Sequence, residues 1–272
     1  MFFTSNRPQI MGILNVTPDS FSDGGKYSGL DAALRQVELM LSEGVDIIDI
    51  GGESTRPGAD PVTAGEQLAR VVPVIEAIRH LDDTILISID TTSSEVARAA
   101  LQAGGHIIND VSGGRADAAI LSLAAQTGVP IILMHSPGAS KTMQDNPHYD
   151  NVVQEVIASL TESINSALKA GVDKENIAID PGIGFGKRKQ DNLDLLAHLD
   201  DLVALGFPVL LGTSRKRFMG TICDVSEPSE LVTATAVTTA LGVMAGVQLF
   251  RVHDVKENRQ AADVAWAIKQ SK

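Results

Sequence analysis

The chain is poor in cysteine, in positive charge and in long apolar runs, and each shortage excludes something. A single cysteine, Cys223, in 272 residues leaves no internal disulfide to form and fits a reducing compartment. No apolar run reaches the ~18 residues that a membrane-spanning helix needs. Met1 to Arg7 lack the basic-then-apolar signature of a secretory signal, so the expected location is cytoplasmic. Lys and Arg number 22 against 34 Asp and Glu, a net charge of −12, which makes nucleic acid and anionic membrane surfaces poor partners. An anionic ligand would need basic residues gathered locally against that global sign.

Hydrophobic residues make up 44% of the chain and charged residues 21%, the balance of a globular protein with a large core. Strand-length apolar runs recur at Gln9–Leu14, Asp46–Gly51, Ile85–Asp90, Ile107–Asp110, Ile131–Met134, Ile177–Asp180, Val209–Gly212 and Gln248–Val252. They are rich in Ile and Val and do not alternate with polar residues, as expected of parallel strands covered on both faces. Helical periodicity fills the intervals. Leu30, Ala33, Leu34, Val37, Met40 and Leu41 share one face of the first helix, and Val152, Val153, Val156, Ile157, Leu160 and Ile164 one face of the fifth. Thr92 to Glu95 and Asp254 to Glu257 read as capping boxes. Gly44, Gly104, Gly128, Gly171, Gly206 and Gly246 stand where left-handed C-caps are needed. Pro73 should kink the second helix or mark a late start.

Eight strand–helix units without a linker predict an α/β fold, a single-domain (β/α)8 TIM barrel over residues 1–272. A doubly wound open sheet is the alternative, but no G-x-G-x-x-G follows the first strand. Two connections, Thr17 to Gly29 and Glu53 to Thr63, are long and polar enough to be lids or ligand-binding loops, and both follow strands. The strand runs close in turn on Asn15, Gly51-Gly-Glu53, Asp90, Asn109-Asp110, His135, Asp180, Thr213-Ser214 and Arg251-Val-His253. One such residue would read as a helix cap. Eight on one barrel mouth read as a site.

These residues divide into two chemistries. Asp90, Asn109 and Asp180 suit the N–H-rich edge of a heterocycle such as an amino-pyrimidinone. Arg56, Arg215, Lys216, Arg251 and His253 are the cations, and Arg251 and His253, two apart before a helix, suit a diphosphate or carboxylate. The ligand should therefore carry a nitrogen-rich ring at one end and an anion at the other. His135 and His148 read as structural, Lys187 to Lys189 as a solvated rim in which Lys187 anchors Phe185, and Cys223 as incidental between two helices.

The segments Met11-Gly-Ile-Leu-Asn-Val-Thr-Pro-Asp-Ser-Phe-Ser-Asp-Gly-Gly25 and Gly51-Gly-Glu-Ser-Thr-Arg-Pro-Gly58 resemble the two signatures of the dihydropteroate synthase family. Ile107 to Asp110, Leu133 to His135, Asp180 to Lys187, Ser214 to Lys216 and Arg251 to Glu257 are similar to the rest of its pattern, in order. Ser136-Pro-Gly-Ala-Ser140 departs from the family's Met-Gln-Gly-Asn-Pro run. The resemblance implies condensation of 6-hydroxymethyl-7,8-dihydropterin diphosphate with para-aminobenzoate, releasing diphosphate and forming 7,8-dihydropteroate for folate biosynthesis. It places Asp90, Asn109, Asp180 and Lys216 on the pterin. Asn15, Thr55, Arg251 and His253 fall on the diphosphate, with Asn15 as Mg²⁺ ligand. Phe21, Arg56, Pro57, Phe185, Ser214 and Arg215 fall on the aminobenzoate, where sulfonamides would compete. It also implies a homodimer.

Catalysis would need no covalent nucleophile, resting on Asp90, Lys216, Arg251 and His253. Two rivals share the barrel. A pterin-dependent methyltransferase would have no use for Ser54 to Pro57 or Ser214 to Lys216. A non-catalytic pterin-binding homologue would be marked by loss of Lys216, Arg251 or the first loop motif, and all are present.

Overall fold

The structure, a computed structural model, describes residues 7–16, 25–53, 62–137 and 147–271. The apolar runs form β1 (Gln9–Asn15), β2 (Ile47–Gly51), β3 (Leu86–Asp90), β4 (Ile107–Asp110), β5 (Ile131–Met134), β6 (Ile177–Asp180), β7 (Leu210–Leu211) and β8 (Leu249–Val252). All pairings are parallel, in the order β6-β5-β4-β3-β2-β1-β8-β7. A bridge between Ile179 and Val209 joins the two ends of that order and closes the ring. β7 is short because Pro208 has no N–H to give and the Val209 N–H bonds the Gln248 side chain at 2.9 Å.

The helices are α1 (Gly25–Ser42), α2 (Ala64–Leu81), α3 (Ser94–Gln102), α4 (Ala119–Thr127), α5 (Val152–Lys169), α6 (Lys189–Ala197), α7 (Leu199–Val203), α8 (Arg217–Cys223), α9 (Val232–Ala245) and α10 (Val255–Gln270). The sixth and seventh units thus carry two helices each, and Cys223 ends α8, exposed, instead of lying between helices. All six C-cap glycines have positive φ, from 69° at Gly128 to 112° at Gly104. Both proposed capping boxes need correction. Ser93, not Thr92, caps α3 by accepting the Val96 N–H at 3.4 Å. Asp254 stands at the N-cap of α10, but its carboxylate is taken by Arg215. A box does form at α2, between Thr63 and Glu66, and the helix runs on through Pro73 without the late start. No helix among the described residues is long and apolar enough to cross a membrane.

Side chains two apart on a strand face the same way, and this period organises the barrel interior. Met11, Ile47, Ile107, Ile132, Ala178, Leu210 and Leu249 form a buried cluster of their own, with Leu86 against it. At roughly 1.5–3 kcal/mol for each large aliphatic side chain fully buried, this layer makes the lower barrel a packed plug. Two residues further along the strands the layer turns largely polar, with Asp49, Ser88, Asn109, Asp180 and Arg251 beside Ile13, Met134 and Gly212. Two further still stand Asn15, Gly51, Asp90, Ser214 and His253.

Candidate active site

The polar layer sits on an apolar floor, so its charges must be met internally. Arg251 from β8 reaches across the barrel, giving Nε to Asp49 at 2.6 Å and Nη2 to Asp90 at 2.7 Å. Asn109 gives Nδ2 to Asp49 at 3.3 Å, leaving its oxygen as the atom it can offer a ligand. Asp90 keeps one buried oxygen, Oδ1, without a partner among the described residues. Burial pushes the Asp90 carboxyl up to about 7; Arg251 opposes that, while Asp49, Asp110 and Glu53 add to it. For Arg251 burial disfavours the charge, but Asp49 and Asp90 outweigh it and hold the guanidinium firmly charged.

Asp49 was missed by reading only what closes each strand. The signal was present: a carboxylate within Ile47-Ile-Asp-Ile50, where every neighbour is buried and apolar, is too unfavourable to stand without a partner. Asp110, by contrast, holds the turn that follows β4. Its carboxylate accepts from Ser112 N, Ser112 Oγ and Gly114 N, all within 2.8 Å.

On β6, Asp180 accepts the Gly182 N–H at 2.7 Å, and burial raises it to about 6 against the pull of that bond, Lys216 and Lys187. Lys216 follows β7 with its Nζ 4.2 Å from the centre of the Phe185 ring. Burial first, then Arg251, lowers Lys216 to about 8, while Asp180 and Asp90 favour its charge. Gly184 makes room for it, since a Cβ there would stand 2.8 Å from Lys216 Cδ. The solvated-rim expectation fails for Lys187, which is 5% exposed and donates to the Gly182 and Phe185 carbonyls at 2.9 and 3.0 Å. The expected anchoring of Phe185 is present. His135 is buried against Lys187, whereas His148 is exposed.

At the last two strands Ser214 Oγ lies 2.9 Å from His253 Nδ1 and accepts the His253 backbone N–H at 3.1 Å. Burial, then Arg215 and Arg251, depress His253 to about 4. It is therefore neutral at pH 7 and offers a hydrogen bond where a cation was expected. Arg215 is bidentate to Asp254, at 3.0 and 2.5 Å. Its φ of 57° is strained for a residue with a side chain, and that pair holds it between Ser214 and Lys216. Asn15 is exposed at the end of β1, facing Asp90 across Gly51; a Cβ built there would meet Asp90 Cβ at 3.6 Å and Asn15 Oδ1 at 3.7 Å. Phe21, Thr55, Arg56 and Pro57 lie outside the described residues.

The structure thus brings Asp90, Asn109, Asp180, Arg251 and Lys216 to one buried mouth, with Phe185, Ser214 and His253 at its rim. The model of a family described as pterin binding enzyme matches residues 11–253. The chain is 46% identical over 268 residues to the dihydropteroate synthase of Synechocystis sp., covering 98% of this chain and 92% of that one. The Xanthomonas albilineans dihydropteroate synthase with 4-aminobenzoic acid superposes at a TM-score of 0.91, with 46% identity over 97% of this chain and 94% of the other. The same enzyme in complex with 7,8-dihydropteroate gives 0.87, with 42% identity over 98% and 95%.

Proposed function

The chain belongs to the pterin-binding enzyme family, and from that premise we propose that it is a dihydropteroate synthase. It joins 6-hydroxymethyl-7,8-dihydropterin diphosphate to para-aminobenzoate, giving 7,8-dihydropteroate and diphosphate. The observation that carries this reading is the buried mouth itself. An unpartnered Asp90 oxygen, the free oxygen of Asn109 and the Asp180 carboxylate stand together over an apolar floor. A flat ring edged with N–H and C=O groups satisfies all three. With Asp90 near 7, its carboxyl can accept a hydrogen bond or give one.

In this reading residues 1–272 form one pterin-binding domain. The C–O bond of the substrate breaks and diphosphate leaves with the electron pair. The methylene cation left behind is conjugated with the dihydropterin, and Asp90 and Asp180 stabilise it electrostatically. The aniline nitrogen then forms the C–N bond and releases a proton. Lys216 lies over the ring and holds it, Arg251 keeps Asp49 and Asp90 in place, and neutral His253, bonded to Ser214, offers a hydrogen bond at the diphosphate end. Phe185, Ser214 and Arg215 frame the aminobenzoate, with Phe21, Arg56 and Pro57 from the loops. Thr55 joins the diphosphate contacts.

Mg²⁺ fits as an ion carried by the substrate. Among the described residues no three His, Cys, Asp or Glu could enclose a metal, and Asn15 offers one hard oxygen beside Asp90. Bound there by diphosphate and Asn15, it would absorb charge on the leaving group.

Ile222 on α8, Val237 and Leu241 on α9, and Val264 and Ile268 on α10 are exposed apolar side chains, which supports a homodimer through these later helices. Sedimentation of a monomer at micromolar concentration would remove that part of the reading. The reaction is tested by following diphosphate release from dihydropterin diphosphate, with and without para-aminobenzoate and Mg²⁺. Aminobenzoate-dependent release is expected, and its absence overturns the assignment.

A further inference from the structure

The turn between β6 and α6 contains three left-handed glycines, Gly182 at 67°, Gly184 at 81° and Gly186 at 54°. The Lys187 ammonium lies inside this turn. An ammonium has three N–H donors, and here each has an acceptor: Gly182 O at 2.9 Å, Phe185 O at 3.0 Å and His135 Nδ1 at 3.0 Å. None of the three is a carboxylate. Asp180 on β6 and Asp191 on α6 favour the ammonium electrostatically and Lys216 opposes it, but burial dominates and lowers Lys187 to about 7. His135 faces it as a neutral ring, held near 3 by burial, Lys187 and Arg115. A cation placed to balance charge would bond Asp180 or Asp191. This one bonds the backbone of its own turn, and that turn carries Phe185, whose ring lies against the Lys216 ammonium.

We propose that Lys187 is a positioning residue for the aminobenzoate side of the site: it fixes the Gly182–Lys187 turn so that the Phe185 ring lies against Lys216, and it acts on the reaction only through that ring. The proposal rests on the placing of Phe185 beside the aminobenzoate. Its chemistry requires three directed donors at one buried point, which only an ammonium supplies from a side chain of this length.

The test is a double-mutant cycle. Lys187→Met should raise KM for para-aminobenzoate about tenfold with a smaller change in kcat, the pattern of lost ground-state binding. Calorimetric affinity for a non-reactive pterin should change much less than that KM, since three of its four contacts, Asp90, Asn109 and Asp180, stand on strands that the turn does not hold. In a Phe185→Ala background the same Lys187→Met change should have almost no further effect. An equal rise in both backgrounds, a parallel fall in pterin affinity, or a wild-type KM in Phe185→Ala each overturns the proposal. Lys187→Gln, which keeps two donors, should fall between wild type and Met, and it serves if Lys187→Met does not fold. A crystal structure of either variant decides independently of turnover: the Phe185 ring leaves Lys216 if the proposal holds and stays at 4.2 Å if it does not. Should the wild-type protein release no diphosphate, the functional reading fails while that structure still decides the positioning.

Discussion

The inner and outer ends of the site are built from different material. Asp49, Asp90, Asn109, Asp180 and Arg251 stand on strands, and apart from Asp180 they are bonded across the barrel to side chains of other strands. Phe185, Lys187, Ser214, Lys216 and His253 stand beyond the strand ends, held by turn backbone or by a neighbouring turn. The inner end is therefore part of what closes the barrel, and its geometry cannot be changed without touching stability. The outer end can be altered with the barrel intact. Fold and chemistry share residues below the mouth and separate above it.

Arg251→Leu should break that comparison hardest. It strands Asp49 and Asp90 in a buried layer, and removing one partner of a buried ion pair costs about 3–5 kcal/mol. For a chain of this size that lowers Tm on the order of 10 °C. Asp90 already sits near 7 with Arg251 present, and without it burial raises the carboxyl further, so the residue escapes by protonation as pH falls. The loss should be larger at pH 8 than at pH 6, and equal Tm values for variant and wild type at pH 8 would contradict the shared-layer account.

Lys216→Ala probes the other end. Steady-state kcat/KM should fall on the order of 10²–10³, as for loss of one preorganised electrostatic group. The Tm should hold, because no hydrogen bond among the described residues depends on Nζ. Activity near wild type would remove Lys216 from the site, and a Tm loss like that of Arg251→Leu would erase the distinction between the two ends.

The same division explains what could be read in advance. The strands and their parallel order followed from eight Ile- and Val-rich runs, because burial on both faces leaves that composition. Asp90, Asn109, Asp180 and Arg251 were legible because each closes such a run. Asp49 was not, because it lies within one, and only the two-residue period from Ile47 shows that it faces inward. The burial of Lys187, whose anchoring of Phe185 was expected, and the pairing of Asp254 were hidden for a different reason. A turn with three left-handed glycines folds back on its own lysine, and Arg215 competes for the carboxylate that a capping box would use. Neither choice is visible in spacing, since one depends on how a left-handed turn closes on itself and the other on a contact between different βα units.

The pH dependence sharpens the comparison with a smaller effect. Asp90 near 7 and Asp180 near 6 must be ionised to stabilise the cation, so kcat/KM for the pterin substrate should fall about tenfold per unit between those values and about a hundredfold per unit below both. Lys216 near 8 must be protonated, so a second fall begins above pH 8. Lys216→Arg should carry the upper limb to higher pH and leave the lower limb in place. An upper limb that does not move belongs to another group.

The smallest effect comes from a single methyl group at the boundary between the two ends. A Cβ on Gly51 would stand 3.6 Å from Asp90 Cβ and 3.7 Å from Asn15 Oδ1, ordinary contacts, and the backbone there is not left-handed. The fold therefore has no need of glycine at this position, and Gly51→Ala should leave Tm unchanged or raise it, since alanine narrows the unfolded ensemble by about 0.4–1 kcal/mol. The ligand does need it. The methyl would stand 3.8 Å from Asp90 Oδ2, in the gap between the inner layer and the end of β1 where ring and diphosphate must join. Calorimetry should show pterin diphosphate binding weakened a few-fold, about 1 kcal/mol, in a protein as stable as wild type. Gly184→Ala supplies the contrast, because its φ of 81° and its 2.8 Å approach to Lys216 strain the turn as well as the site. Unweakened binding in Gly51→Ala would mean that the ligand does not pass between Asn15 and Asp90, and the diphosphate end would have to be placed elsewhere on the mouth.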